Sequence, residues 1–462
     1  MQRQAGDTAF LSPASTASVP QMRYTILTYG CQMNEADSER LSAMLSAEGY
    51  EHTSLLAKAD LVVINTCCVR ESAEKRIYGK IGELKKYKAE NPERIICVMG
   101  CMAQKDKDRI LERARHVDIV LGTSEIARLP ELVAAVKAKR QKIVATAEGE
   151  AEYPARALLS PGQVSVLIPI MTGCNNYCTY CIVPYVRGRE RSRPAKEIMT
   201  EIEEAARGGA KEIILLGQNV NSYGKDRPED NIRFSDLLSI IDRDSPVERV
   251  RFITSHPRDM DEDTIFAIKN GHKLCEHIHL PVQSGSDRVL KQMNRGYSTE
   301  HYRNVVDAIR RHIPNCSITT DIIVGFPGET EADFQETLDF VREMRFDAAY
   351  TFMYSRRSGT RAAAMEGQIP DEVKKERLHR LMNVQNSISL KINRELEGSV
   401  AEVLAEGPSK DDPNHWTGRT RTNKVVLWPV SGLAPRPGDL LNIRILKAQT
   451  WVVKGVIADS GD

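Results

Sequence analysis

A chain of 462 residues with 41% hydrophobic side chains has apolar material for about three domains, which excludes a small scaffold held by disulfides or a lone metal. Its 64 Lys and Arg balance 63 Asp and Glu, so no global field draws it to nucleic acid or an anionic membrane, and a charge-guided partner needs a local patch. No apolar run approaches the ~20 residues that cross a bilayer, which excludes a helical membrane protein.

Residues 1–21, rich in Ser, Ala, Thr and Pro and without the basic and apolar regions of a signal peptide, read as a disordered leader of a cytoplasmic protein. From Tyr24 to about Arg140, strand-like runs (YTILTYG, ADLVVIN, RIICVMG, VDIVLG) alternate with helix-periodic segments. That pattern predicts a doubly wound α/β domain over 22–140. A stretch without period around Glu148–Pro161 leads to a second alternating series: VSVLIPIM, EIILLG, RVRFITS, EHIHLPV, SITTDIIVG and DAAYTFMYS. Six such units imply a partial (β/α)6 TIM-like barrel, bounded at 160–391. After the charged helical run Asp371–Glu397 come β-branched strands punctuated by Gly and Pro (VAEVLAEG, KVVLWPV, LLNIRILKA, TWVVKGVIA), which predict a small β-barrel at 394–460.

Ten cysteines without a secretion signal point to metal binding or catalysis rather than disulfides. Cys174, Cys178 and Cys181, in CNNYCTYC, follow the first strand of the barrel series. Three thiolates on one short loop can hold three irons of a cubane and leave the fourth open to a chelating substrate, whereas a fully ligated electron carrier needs four. The alternative is zinc on three Cys and one His, but the loop has no histidine and the nearest in sequence are His116 and His256. Cys31, Cys67 and Cys101 close three strands of the first series, 36 and 34 residues apart, one β/α unit each. In an open parallel sheet those ends face one crevice, so three more thiolates can hold a second cluster there. Cys68 competes with its neighbour as ligand, and pattern alone does not choose between them. Cys97, about 13 Å from Cys101 along an extended strand, belongs to the core.

Functional groups of β/α barrels gather where strands end, and here Gln218-Asn219 closes EIILLG, Ser255-His256 closes RVRFIT and Gln283-Ser284 closes HIHLPV. Arg187, Arg189, Arg191 and Arg193 recur at every second position, so an extended backbone would form a cationic stripe, either for phosphate or for internal carboxylates.

The motif CxxxCxΦC, with Tyr180 as its aromatic residue, resembles that of the radical S-adenosylmethionine (SAM) enzymes. The resemblance implies an open iron that chelates the amino and carboxylate groups of SAM, and cleavage of SAM to a 5′-deoxyadenosyl radical. The segments TYGCQMNEADSE, NTCCVRE and GCMAQ, with GCNNYCTYCIVPYVRGRERSR, LLGQNVNSYG, FITSHP, HLPVQSGSD and VGFPGET, resemble the methylthiotransferase branch of that family from Tyr24 to the end of the chain. That branch implies two 4Fe-4S clusters, with Cys67 rather than Cys68 as the middle ligand of the first. It also implies SAM contacts from Tyr180 and Ser255, from Gln218 and Asn219 at the methionine, Gln283 at the ribose, Thr320 and Asp321 near the nucleoside, and Arg295 near the carboxylate. Two departures stand out: Cys68 occupies a place where Ser or Ala is usual, and YSRRSGTRAA replaces a more Pro-rich YSPRPGTPAA.

The last barrel resembles a TRAM domain, an RNA-binding module, through EGPSK and GRTRTNKVVLW. From Glu397 to Asp462 it has eight basic and eight acidic residues, so binding there needs shape and stacking on unpaired bases. Trp416, Arg419, Arg421 and Lys424 are the candidates, with Trp416 as a core filler the alternative. The activity implied is methylthiolation of C2 of N6-isopentenyladenosine beside the tRNA anticodon, by sulfur insertion and methyl transfer. The same chemistry on threonylcarbamoyl adenosine or on a ribosomal-protein aspartate is the rival. An aromatic C–H offers no acidic proton to a general base, which is why radical chemistry fits such a substrate. Implied partners are the tRNA anticodon loop, SAM, an electron donor such as flavodoxin or ferredoxin and a sulfur source, with no membrane.

Overall fold

The computed structural model describes residues 22–68, 71–147, 149, 163–430 and 435–458. The expected leader at 1–21 lies outside them, as does the expected linker around Glu148–Pro161 apart from Gly149. Strands β1 (Arg23–Tyr29), β2 (Glu51–His52), β3 (Leu61–Thr66), β4 (Ile95–Gly100), β5 (Ile119–Leu121) and β6 (Ile143–Ala145) form one sheet in the order β2-β1-β3-β4-β5-β6. Every pairing in it is parallel. Alternate residues of β3 and β4 enter opposite apolar clusters: Leu61, Val63, Ile95, Cys97 and Met99 on one face, Val62, Ile64, Ile96 and Val98 on the other. Both faces are covered, which is why these strands read as near-continuous apolar runs. Strand order reverses between β1 and β3, and the crevice outside their carboxyl ends is the switch point where such sheets take ligands. The edge strands β2 and β6, two and three residues long, carry no run legible in the sequence, and β6 lies past residue 140.

The second series gives six parallel strands: β7 (Ser165–Pro169), β10 (Glu212–Leu216), β11 (Arg249–Ile253), β12 (His277–His279), β13 (Ser317–Val324) and β14 (Ala348–Met353). Two arcs of three meet at a single bridge, Val250 with Leu274, so the partial barrel is as expected. Between β7 and β10 lies a small antiparallel pair, β8 (Met171–Thr172) with β9 (Arg191–Ser192). The final strands, β15 (Val400–Pro408), β16 (His415–Thr420), β17 (Val425–Pro429), β18 (Leu440–Ala448) and β19 (Val453–Ile457), close into a barrel around Val403, Trp416, Trp428, Ile443 and Ile445.

Polar contacts lock these units together. Arg249 donates to Arg419 O (2.7 Å) and Glu402 Oε1 (2.7 Å), and Arg251 to Thr420 O (2.6 Å) and Arg421 O (2.7 Å). The small barrel is therefore docked, not merely appended. On the other side, helix Ala195–Arg207 buries the stripe Ile198, Glu201, Ile202 and Ala205. Glu201 on that stripe receives Arg40 from helix Gln32–Ala47 of the first domain (2.5 Å) and Arg193 (2.8 Å), with all three side chains less than 10% exposed.

Removing Glu201 leaves two buried guanidinium groups without their carboxylate, and loss of one partner of a buried pair costs about 3–5 kcal/mol. Glu201→Ala is expected to lower the thermal unfolding midpoint of the purified chain by several degrees, whereas exposed Glu93→Ala, which loses only a surface pair with Arg140, should leave it in place. Equal midpoints for the two variants would count against this interface as a structural tie.

Candidate functional site

The glycine before Cys174 explains how its loop leaves β8. Gly173 has φ +79°, and a Cβ there would lie 1.9 Å from the Arg189 carbonyl oxygen, so no other residue fits. Cys174 N donates to Gly188 O (3.1 Å), and Cys181 N to Cys178 O (2.9 Å), which curls the loop. Outside support comes from Thr179 N to Met293 O (3.0 Å), Ala362 N to Thr179 O (2.8 Å) and Arg357 Nη1 to Tyr180 O (2.9 Å). Burial pushes the Cys174 thiol up to about 12 and Cys181 to about 11. Arg295 Nη1 lies 3.3 Å from Cys178 Sγ and 3.4 Å from the Tyr180 hydroxyl, and Nη2 donates to Pro281 O at 2.9 Å. Among the described residues no three His, Cys, Asp or Glu side chains converge on a single-ion site.

Around this loop, at the carboxyl ends of the barrel strands, buried polar atoms have no partner among the described residues: Gln218 Oε1, Asn219 Oδ1, Ser255 Oγ and His256 Nε2. Unsatisfied polar atoms in such a cluster cost stability unless something fills them. Asn219 is oriented by its Nδ2 donating to Asp259 Oδ2 (2.8 Å), and His256 by Arg258 N donating to Nδ1 (3.3 Å). Burial, with the nearby Arg295 charge, drives His256 down to about 2, so the ring is neutral. Gln283 is held at φ +72°, a left-handed conformation that side chains rarely adopt, beside β13. This donor and acceptor set suits an amino-acid and nucleoside ligand. Thr320 stands apart: its hydroxyl donates to Leu280 O (2.9 Å) and accepts from Val282 N (2.9 Å). Asp321 lies 3.5 Å from His279 Nε2. Asp259 and His256 complete this mouth; His256 was marked by its place after a strand, whereas Asp259, in the turn Pro257–Asp259, carries no such signal.

The second thiol group forms at the switch point. Cys31 ends β1 and caps helix Gln32–Ala47, Cys67 and Cys68 follow β3, and Cys101 follows β4. Two asparagines brace it: Asn34 Nδ2 donates to Asn65 Oδ1 (3.0 Å) and Asn65 Nδ2 to Asn34 O (2.8 Å). Both sit inside motifs quoted above, yet neither was singled out. A hydrogen bond from Cys67, together with the Arg187 guanidinium, holds Cys31 down at about 6; a bond from Cys68, again with Arg187, holds Cys101 at about 7. Cys68 is pushed up by that same bond and by burial, and it packs in the apolar cluster with Ile64 and Met102.

The arginine stripe is corrected. Residues 183–186 form a turn of helix and Gly188 has φ +74°, so the backbone is not extended. Arg187 is buried against Asp37 (2.7 Å) and Arg193 against Glu201, while Arg189 and Arg191 face solvent. These two, with the exposed Tyr177 and Tyr185, line a cavity of about 630 Å³. The last barrel needs a second correction. Trp416 is buried 6.4 Å from Trp428, Arg421 pairs with Glu276 (2.7 Å), Lys424 with Asp347 (2.6 Å) and Arg419 with Glu406 (3.0 Å). The core-filling alternative holds for Trp416, and Arg421 and Lys424 are spent on the interface with the larger barrel. The exposed aromatic residue is Trp451.

Residues 168–341 match the family model described as the Radical SAM superfamily, 23–122 that described as Uncharacterized protein family UPF0004, and 394–458 the TRAM domain. A tRNA-2-methylthio-N(6)-dimethylallyladenosine synthase of Moorella thermoacetica is 48% identical over 442 residues, 94% of this chain and 98% of that protein. The protein of the same name from Syntrophomonas wolfei is 51% identical over 438 residues, with the same coverages. Among solved structures, the radical S-adenosylmethionine methyltransferase TsrM of Kitasatospora setae is similar with TM-score 0.55 and 14% identity, over 84% of this chain and 82% of that one. The cobalamin-dependent S-adenosylmethionine radical enzyme OxsB gives 0.54 and 13% over 80% of this chain, which spans 58% of OxsB. At such identities the likeness is one of fold.

The two thiol groups should differ in reactivity, because the thiolate is the nucleophile and its fraction rises as pH passes the thiol's pKa. With iodoacetamide on the metal-free chain, labelling of exposed Cys31 should climb through about pH 6, while Cys174 stays unlabelled at neutrality. Arg187→Met should move the Cys31 midpoint upward. Equal labelling of Cys31 and Cys174 at pH 7, read by peptide mass spectrometry, would overturn this contrast.

Proposed function

The chain belongs to the radical SAM methylthiotransferases that include the tRNA-2-methylthio-N(6)-dimethylallyladenosine synthases, and we propose that its two thiol groups divide that reaction between two iron–sulfur clusters. The observation that carries the proposal is the pairing of one three-cysteine loop, ringed by orphaned polar atoms, with a second set of cysteines across a shared buried arginine. Residues 160–391 act as the SAM unit, 22–140 as the sulfur-handling unit and 394–460 as an RNA-binding unit.

Cys174, Cys178 and Cys181 would hold the first 4Fe-4S cluster, three thiolates for four irons, so that SAM could bind beside them. Arg295, beside Cys178, and Tyr180 set the charge at that corner; Gln218, Asn219, Ser255 and neutral His256 take up the ligand's polar atoms, with Gln283 and Asp321 toward the nucleoside. Bound there, the cluster would supply the electron for reductive cleavage of SAM, and with it radical chemistry able to open an aromatic C–H bond. Cys31, Cys67 and Cys101 would hold the second cluster, and Arg187 favours the thiolate forms of Cys31 and Cys101. Sulfur reaches that site from a separate donor, and an electron carrier of the flavodoxin or ferredoxin class reduces the first cluster.

The target is an adenosine with an N6-dimethylallyl group beside the tRNA anticodon. The relatives' names favour it over threonylcarbamoyl adenosine or a ribosomal-protein aspartate. Anticodon-loop bases are unpaired and can be splayed onto aromatic faces, for which Tyr177, Tyr185 and Trp451 are exposed, with Arg189 and Arg191 near the first two. No helix among the described residues is long and apolar enough to cross a membrane. A tRNA substrate is met in the cytoplasm, which is the location this reading implies.

After anaerobic reconstitution, replacing Cys31, Cys67 and Cys101 with Ala should leave about four irons per chain and preserve 5′-deoxyadenosine formation, yet yield no methylthiolated nucleoside. Replacing Cys174, Cys178 and Cys181 should abolish both reactions. Full methylthiolation by the first variant would sink the two-cluster division, and SAM cleavage by the second would sink the radical SAM site itself.

The middle ligand is tested separately. Cys67→Ala should lose one cluster and Cys68→Ala should keep both. A loss of about four irons in the Cys68 variant alone would reverse the assignment.

A further inference from the structure

A cleft of about 780 Å³ is lined by the loop after β14, which hydrogen-bonds to the first cysteine loop, and by Lys105 of the helix that starts at Cys101. Its lining includes Lys105, Arg356, Arg357 and Arg361 against one carboxylate, Glu74. Glu74 is already engaged by Lys105 at 2.6 Å. From Tyr354 to Met365 the sequence YSRRSGTRAAAM contains three arginines and no acid, so the positive charge is uncompensated within the loop. Arg356 and Arg361 are exposed, and among the described residues neither pairs with a carboxylate. Arg356 is nonetheless aimed, because its Nε donates to Ala363 O at 2.7 Å. The loop itself is anchored: Ala362 N donates to Thr179 O within the first cysteine loop, and Arg357 Nη1 to Tyr180 O.

We propose that this cleft seats a backbone phosphate of the RNA substrate, with the Arg356 and Arg361 guanidinium groups as its contacts. The inference rests on the tRNA reading above and names a positioning site within it. Guanidinium forks match phosphate oxygens in pairs, and two of them on a braced loop fix the strand's position without reading a base. RNA is favoured over an acidic protein because the proposed substrate is itself a polyanion, and the cleft's walls reach both cysteine-bearing segments: its loop hydrogen-bonds to Thr179 and Tyr180 between Cys178 and Cys181, and its helix begins at Cys101. Arg356 and Arg361 also stand at two places where the similar motif has prolines, so this clamp is a feature of the present loop.

The test uses the reconstituted full chain and a synthetic anticodon stem-loop carrying N6-dimethylallyladenosine. Each lost phosphate contact to a single strand flattens the plot of log affinity against log salt by about 0.7, so the double variant R356Q/R361Q should lower that slope by about 1.4 and raise the KM for RNA. RNA-independent 5′-deoxyadenosine formation and iron content should be unchanged, and R356K/R361K should recover most of the slope. Unaltered affinity and slope in the Gln variant would overturn the clamp, as would unaltered RNA binding with slower reduction by flavodoxin, which would assign the cleft to a protein donor. Should the parent chain bind the stem-loop without methylthiolating it, the functional reading falls instead; should it methylthiolate while both variants bind equally, only the clamp does.

Discussion

One buried guanidinium couples the two halves of this site. Arg187 lies six residues after Cys181, on the segment that leaves the first cysteine loop, yet its charge is spent on Asp37 and on the Cys31 and Cys101 thiols of the other sheet. Ile182 and Val186 of the same segment enter the apolar cluster that contains Cys68, Cys101 and Met102. The spacing of the two thiol groups is thereby set by six residues of chain and one ion pair. Any shift of the first loop pulls directly on the second group.

A buried cation is tolerated only where its desolvation is offset by well-placed partners. Arg187 finds them in a carboxylate and two thiols poised toward thiolate; Arg40 and Arg193 find them in Glu201. The two networks lie on one interface, since Asp37 and Arg40 occupy neighbouring positions on helix Gln32–Ala47. Interfaces of this polar kind fix register more than they add stability. Here that register sets how the two cysteine groups face each other across Arg187.

Period and strand ends made much of this legible in sequence. Six strands of the second series and four of the first stand out as apolar runs, and the carboxyl ends of parallel strands must share a face, so Cys31, Cys67 and Cys101 could be brought together from spacing alone. What pattern could not reveal was where long polar side chains go. Alternation placed four arginines on one face, but Gly188 at positive φ breaks the extension and nearby carboxylates take two of them inward. Trp416 and Lys424 failed as RNA contacts for a related reason: a five-stranded barrel needs a large side chain at its centre, and a basic residue next to Asp347 pairs with it before any ligand arrives. Exposure, which distinguishes Trp451 from Trp416, is a property of the closed barrel and has no local sequence signal.

The small barrel's docking site adds a constraint on substrate size. Its contacts fall on the amino ends of the larger barrel's strands: Arg249 opens β11, Glu276 precedes β12 and Asp347 precedes β14. The first cysteine loop and the orphaned polar atoms lie at the opposite, carboxyl ends. β10 and β11 are five residues each, about 16 Å of strand at ~3.3 Å per residue, so a ligand held at both ends must span at least that distance. A free nucleoside cannot do so, while a folded stem with an unpaired loop can. A contact made at the docked barrel and one made at the orphaned polar atoms therefore fall on different parts of any ligand that reaches both.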